Sequence, residues 1–295
     1  MNPYKIIAIG DNVCDKYLSR GKMYPGGQCV NTCVYARMNN TESAYLGKFG
    51  SDNVAEIVES TLSDLGIDSS RSRHFKGENG FALVTLKDND RVFLGSNKGG
   101  IAREHPFDFT EDDLIYISKF DLIYTNLNSY IEADLPLLMS TAVPIAYDFS
   151  TRWTDDYLRE VGQYITVAIL SCAHLSDKDR EREMRKAQKS GISIVLGTVG
   201  EKGSYVLYDN ELLFVDAVHS DCVLDTMGAG DSYFTAFLCT MLANSCEGQI
   251  VFGTHANMMR RLKQAMDVGA SFAATTVSME GAFGHGVPIQ GRVTL

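Results

Sequence analysis

Residues 225–232 read Asp-Thr-Met-Gly-Ala-Gly-Asp-Ser, and the rest of the chain is placed outward from them. Gly228 and Gly230, with only Ala229 between them, let successive backbone N–H groups converge on one point with no bulky side chain intruding. The apolar run Tyr233 to Leu238 that follows reads as a helix near Asp231–Leu242. The first N–H groups of a helix have no internal partners, and its dipole puts positive charge there. The pattern is therefore an anion cradle at the head of a buried helix, with Gly228, Ala229 and Gly230 as its wall. Asp231 is out of place beside an anion unless it has a task. One task is to take a proton from a hydroxyl that attacks a phosphoryl group. The other reading is a plain helix N-cap, where Asp is common. Asp225-Thr226 in front and the long apolar helix behind favour the first.

Upstream, the rhythm is strand then helix. Tyr4–Ile9 reads as a buried opening strand, Gln28–Met38 as a helix with Val30, Val34 and Met38 on one stripe, and Asp52 as the cap of a helix ending at Gly66. Short apolar runs at Leu122–Tyr124, Pro144–Asp148, Thr166–Leu170 and Ser193–Leu196 alternate with helical stretches, the pattern of a mostly parallel sheet covered on both faces. The charged helix Asp177–Lys189, with Glu181 and Arg185 at i and i+4, reads as a solvated face. Ser204–Tyr208 and Leu212–Val218 look antiparallel, and a last helix covers His255–Val277. Phe81–Leu86 and Arg91–Leu94 flank the polar turn Lys87 to Asp90 and read as a hairpin projecting from the main sheet. The expectation is an α/β fold in which residues 1–295 form one domain with small β-lid elements near 16–25 and 80–97. Phe81, Leu83, Val92 and Phe93 are expected to be exposed on that lid, and the stretch 16–24 looks short for further lid strands.

The chain has 295 residues and a net charge of −10, from 27 Lys and Arg against 37 Asp and Glu. That balance argues against nucleic acid as the main partner, so phosphate must be held locally. Seven cysteines, with no C-x-x-C pair, fit reduced thiols in a cytoplasmic protein better than a zinc site. No stretch is long enough to cross a bilayer, and the N-terminus lacks a secretory pattern. There is no G-x-x-x-x-G-K-[ST], no G-x-G-x-x-G after the first strand and no G-x-S-x-G, which leaves out P-loop, dinucleotide-binding and hydrolase-elbow readings.

Residues 225–232 match the C-terminal signature of the ribokinase-like (PfkB) carbohydrate kinases, and Gly26-Gly27-Gln28-Cys29-Val30-Asn31 matches their N-terminal Gly-Gly-x-x-x-Asn element. The order of elements agrees from about Lys5 to about Gly284. The resemblance implies a ribokinase-like fold, ATP as phosphoryl donor, Mg²⁺, and a small sugar held between the sheet and the β lid. It places Asp15, Asn31, Gly26 and Gly27 on sugar hydroxyls and Asp231 as base. It places Thr198, Gly200 and Gly203 of Thr198-Val199-Gly200-Glu201-Lys202-Gly203 on the nucleotide, with the helix through Gly269 walling the base. Asp225, Thr276, Met279 and Gly281 would surround a monovalent cation such as K⁺. In place of the family's Asn-x-x-Glu, which orders water around Mg²⁺, stands Ser171-Cys172-Ala173-His174.

Three further pieces resemble the fructoselysine 6-kinase branch of the family: Gly10-Asp11-Asn12-x-x-Asp15-x-Tyr17, Asp88 to Phe93, and Asp148-Phe149-Ser150-x-x-Trp153. That branch implies transfer to the 6-hydroxyl of a fructosamine, with Asp11 meeting the cationic nitrogen and Arg91 a carboxylate or phosphate. The alternatives are another ribokinase-like activity, on ribose, fructose, 2-keto-3-deoxygluconate or a nucleoside, and a non-catalytic sugar- or nucleotide-binding sensor. Relatives often pair their lids, so a homodimer is expected through the lid, with a monomer as the alternative if the lid is small.

Overall fold

The computed structural model describes residues 4–87 and 90–295, with side chains described for all of these but 86, 87, 90 and 91. β1 (Lys5–Gly10) opens the main sheet, and Ile6 and Ala8 go to one face while Ile7 and Ile9 go to the other. A strand buried on both faces in this way must lie inside the sheet. The chain then leaves for β2 (Val13–Tyr17) and β3 (Lys22–Gly26), and α1 (Gln28–Met38) brings it back to β4 (Glu42–Phe49). α2 (Asn53–Asp64) is capped by Asp52, whose carboxylate accepts the Ala55 N–H at 3.2 Å, and β5 (Arg73–His74) forms a short edge. β6 (Gly80–Lys87) and β7 (Asp90–Ser96) make the hairpin. Two short helices follow, α3 (Ile101–Glu104) and α4 (Glu111–Ile117). From there strands and helices alternate: β8 (Leu122–Asn126), α5 (Leu135–Met139), β9 (Ile145–Asp148), α6 (Asp155–Gly162), β10 (Val167–Ser171), α7 (Asp177–Lys189) and β11 (Ile194–Thr198). β12 (Ser204–Tyr208) and β13 (Glu211–Val215) complete the sheet, before α8 (Ala229–Ala243), α9 (His255–Thr276) and β14 (Val287–Pro288).

The main sheet runs β13-β12-β11-β10-β9-β8-β1-β4-β5, parallel from β11 to β5 and antiparallel at β12 and β13. One face packs under α1, α2, α8 and α9, the other under α5, α6 and α7. Because the strands are parallel, the ends of β1, β8, β9, β10 and β11 lie along one rim, where ligands bind in sheets of this class. Ribokinase-like architecture is thus what the chain adopts, with a second, five-stranded sheet β14-β3-β2-β6-β7 standing over that rim as the lid.

Three expectations need correcting. Residues 13–26 do supply two lid strands, because the tight reversal at Leu18–Gly21, with Gly21 at φ +62°, leaves five residues for each arm. Phe81 and Leu83 are buried while Val92, Phe93 and Leu94 are exposed. The burial comes from the C-terminal segment: the Lys16 ammonium donates to the Gln290 and Arg292 carbonyls at 2.9 and 2.7 Å, and both Lys16 and Arg292 lie over the Phe81 ring. Met38, set on the buried stripe of α1, is exposed at the last turn, whereas Val30 and Val34 are buried. Among the described residues no helix is long and apolar enough to cross a membrane. Of the seven cysteines, Cys222 and Cys246 are exposed and the other five are buried, all as free thiols.

Candidate active site

The head of α8 points at the rim of the sheet. Its first turn starts from Gly228 at φ +72°, a left-handed conformation that glycine adopts without strain. A Cβ there would also lie 2.5 Å from the Tyr35 hydroxyl and 2.9 Å from the Ala282 Cβ, so packing and backbone both demand glycine. In front of Gly230 there is open space. Of the expected anion-hole residues Gly228, Ala229 and Gly230, Ala229 gives its N–H to the Thr226 carbonyl at 3.3 Å, so the N–H groups that the helix start can offer an anion are those of the two glycines.

Asp231 stands at this mouth, and its carboxylate accepts the Asn31 side-chain N–H at 2.6 Å. The bond joins α8 to α1 across the rim. Asn31 is buried, and its Oδ1 has no partner among the described residues. An orphaned buried acceptor costs roughly 1–3 kcal/mol, so it marks a place where a donor belongs. A Cβ on Gly26 would sit 3.5 Å from that oxygen and 3.2 Å from the Asp15 Oδ2. Asp15, Asn31 and Gly26 thus surround one small volume under the lid, next to Asp231. The orphaned Asn31 acceptor, with the Asp15 carboxylate close by, suits a ligand that brings hydroxyl donors.

Asp11 does different work. Its carboxylate accepts the Gln28 and Cys29 backbone N–H groups at 2.9 and 3.0 Å and the Asn126 amide at 2.7 Å. Gly27, at φ +102°, makes no side-chain cap for α1, and Asp11 satisfies the open helix end in its place. The expectation that Asp11 faces a substrate nitrogen gives way to a capping role.

Residues that the motif reading passed over complete the floor. The Gln28 amide donates to Asp148 at 2.6 Å and its carbonyl accepts from Asn128 at 2.9 Å; Asn128 in turn accepts from Arg152. Asp148 also accepts the Ser150 N–H at 2.6 Å. Burial pushes the Asp148 carboxyl up to about 8, and the charges of Asp231 and Asp11 push the same way, against the Ser150 and Gln28 hydrogen bonds. Asn12 ties the rim to the lid: its amide donates to the Tyr45 hydroxyl and the Lys48 carbonyl, and it accepts from Asn79 at 2.7 Å just before β6. The one sequence signal for this set was polar residues at the ends of apolar strands: Asn126 on β8, Asp148 on β9 and Asp11-Asn12 after β1.

The loop Thr198–Gly203 follows β11 along the same rim, with a single 3₁₀ turn at Gly200–Lys202 and open space over Gly200. Gly203 is buried against the Val215 carbonyl and shapes the turn. Gly269, set on the wall of a base pocket, serves helix packing instead: a Cβ there would be 2.9 Å from the Tyr233 carbonyl and 3.1 Å from its ring. Asp225 and Gly281 do meet, the carboxylate accepting the Gly281 N–H at 3.2 Å and the Met227 N–H at 3.0 Å. The Arg20 guanidinium lies 3.5 Å from the Asp225 carboxylate. The Arg91 side chain falls outside those described. Among the described residues no group of three or more His, Cys, Asp or Glu could hold a metal, so the residues do not fit a closed protein site for Mg²⁺.

Residues 2–288 match the model of the pfkB family of carbohydrate kinases. The chain is 38% identical over 285 residues to the fructosamine kinase FrlD of Bacillus subtilis, covering 96% of this chain and 94% of that protein. It is 29% identical to the fructoselysine 6-kinase of Escherichia coli K12, over 94% of this chain and 99% of the relative. In fold it is similar to the ribokinase of Arabidopsis thaliana solved with ribose and ATP, with a TM-score of 0.77, 18% identity and coverage of 96% and 95%. A fructokinase of Xylella fastidiosa solved with ATP aligns with a TM-score of 0.76, 16% identity and coverage of 95% and 94%. The match over nearly the whole chain makes this chain a member of the pfkB carbohydrate kinase family, an ATP-dependent kinase of a sugar hydroxyl.

Proposed function

We propose that the enzyme phosphorylates the 6-hydroxyl of fructoselysine or a related fructosamine, in the cytosol, with Asp231 as the general base. The observation that carries the mechanism is the Asp231–Asn31 bond at the mouth of α8, with the orphaned Asn31 oxygen and Asp15 beside it. A ketose lying there donates ring hydroxyls to Asp15 and Asn31, and its primary hydroxyl reaches Asp231. Asn31, by donating to the carboxylate, holds it toward that hydroxyl. The proton moves to Asp231 as the oxygen bonds to the γ-phosphorus, the bond from that phosphorus to the β-phosphate oxygen breaks and ADP leaves, and the α8 N–H groups of Gly228 and Gly230 stabilise the charge on the transferring group. The nucleotide lies along Thr198–Gly203, with Gly200 leaving room for phosphate or ribose. Mg²⁺, when bound, neutralises phosphate charge, and it would arrive on the phosphates with most of its water. Because Arg20 already braces Asp225, the proposal gives K⁺ no part.

The choice of sugar rests on the two relatives above and on the three sequence pieces shared with the fructoselysine branch. The test is a panel of acceptors with ATP and Mg²⁺: fructoselysine, fructose, ribose, 2-keto-3-deoxygluconate and a nucleoside. Fructoselysine is expected to give the highest kcat/KM, and a preference for ribose or the nucleoside overturns the assignment.

The lid also bears on assembly. Among the described residues the two-residue β14 covers Lys22 and Met23 of β3 at one edge, and β7 forms the other edge, with Phe93 62% exposed between Val92 and Leu94. Exposed apolar edges are normally covered, and we propose that two copies pair there. Light scattering is expected to report a dimer that Phe93→Lys converts to monomer.

A further inference from the structure

Asp148 is the buried acid of the rim for which the phosphoryl-transfer scheme has no use. It is 5% exposed at the end of β9, bonded to Gln28 on one oxygen and to the Ser150 N–H on the other, and no cation pairs with it among the described residues. The other carboxylates it faces are Asp231 on α8 and Asp11 after β1. Two unpartnered, fully or nearly fully buried polar atoms lie in the same region: the Asn31 Oδ1, beside the sugar volume, and the Tyr124 hydroxyl of β8, for which Asp148 and Asp231 are the foremost charges. A ligand with both hydroxyl donors and acceptors is what such a pair lacks.

Position along α1 separates two ends of that ligand. Asn31 faces Asp231, where the hydroxyl reacts. Gln28 is three residues nearer the helix start, about 4.5 Å away along the axis, and it holds Asp148 and Asn128. A sugar ring spans a distance of that order, so Gln28 and Asp148 stand about one ring away from the Asn31–Asp231 pair.

We propose that Asp148, held by Gln28, receives the cationic nitrogen of the substrate and so determines the preference for a glycated amine over the plain sugar. This rests on the fructosamine reading above and moves the nitrogen contact from Asp11, which caps α1, to a buried acid that lacks a countercharge. Burial of an unpaired carboxylate is costly, and a buried ammonium–carboxylate pair offsets that cost. In the free enzyme the carboxyl, raised to about 8, is mostly protonated at pH 7. Binding of the ammonium ionises it and releases a proton.

The test compares wild type, Asp148→Asn and Asp148→Glu on fructoselysine and on fructose. For Asp148→Asn we expect kcat/KM to fall on the order of 100-fold on fructoselysine, mainly through KM, and by less than a tenth of that factor on fructose. Asp148→Glu should recover part of the loss on fructoselysine. Calorimetry of fructoselysine binding at pH 7 in two buffers of different ionisation heat should show proton release by wild type that Asp148→Asn lacks. If Asp148→Asn does not fold, Gln28→Met is used in its place, with a smaller loss in the same direction. Equal losses on both sugars, no loss, or equal proton release overturns the inference while leaving a wild-type preference for fructoselysine intact. A wild type that does not phosphorylate fructoselysine overturns the functional reading and this inference together.

Discussion

The two ends of the proposed sugar site are built from different material. At the reacting end the working groups are backbone N–H groups at the start of α8, with one side chain, Asp231, set among them. At the far end they are side chains drawn from separate segments: Gln28 from α1, Asn128 after β8 and Asp148 from β9, with Asp15 of β2 and Asn31 of α1 standing between the two ends. Backbone charge is fixed by the fold and cannot be substituted away, so it suits a step shared by every phosphoryl transfer. Side chains can be exchanged one at a time without disturbing the sheet, so they suit the choice of acceptor. The difference separates turnover from selectivity, and substitutions at the two ends should split accordingly.

The largest effect belongs to the reacting end. Asp231→Asn should lower kcat by roughly 10²–10⁴-fold, the range for loss of a general base, while the Kd for ATP stays within about threefold of wild type. Steady-state turnover and nucleotide titration check it, and a change carried mainly in sugar KM would erase the division. Gly228→Ala tests the backbone itself. With φ at +72° and a new Cβ 2.5 Å from the Tyr35 hydroxyl, it should cost about 1–3 kcal/mol of stability and lower kcat on every acceptor alike. Denaturant unfolding and kinetics on two sugars read both.

Between the two ends, Asn31→Ala removes an acceptor from the sugar and the donor that orients Asp231. Sugar KM should rise about 10-fold or more with a smaller fall in kcat, and an effect confined to kcat would place Asn31 in the reacting set. The smallest effect is thermodynamic. A carboxyl whose folded pKa is raised costs nothing below its unfolded value near 4 and costs progressively more as pH rises toward 8. Asp148→Asn removes that cost. Its Tm relative to wild type should therefore rise between pH 5 and pH 9, by roughly 2–4 °C for each kcal/mol recovered. A flat difference across that range would mean that Asp148 is ionised and paired in the free protein.

The same contrast explains what could be read from the chain before its structure. The helix start at Gly228–Asp231 was legible because its chemistry follows from consecutive residues, and the strand–helix rhythm from Leu122 to Thr198 was legible because both faces of each strand are apolar. α1 and α7 have the bounds that capping and periodicity suggest. β4 went unseen because Glu42–Phe49 mixes Glu, Lys, Ser and Gly into a strand that is buried after its first residue. The lid strands β2 and β3 hid in a segment of Tyr, Lys, Gly and Pro, where long-range pairing with β6 and β14 decides the conformation. Asp11 and Asp148 could not be told apart in role, since a cap and a binding acid look alike until the N–H groups around them are located. Gly269 resembled a ligand-side glycine and serves close packing of α8 on α9.

The position of the new phosphate tests the central claim most directly. The enzyme is incubated with ATP, Mg²⁺ and fructoselysine, and the product is examined by ³¹P and ¹³C NMR. Phosphorus coupled to C6 of the fructosyl group, with stoichiometric ADP, is the expected result. Phosphate on another carbon, or ADP formed with no phosphorylated fructoselysine, would contradict a site in which Asp231 faces the primary hydroxyl and the nitrogen lies at the opposite end.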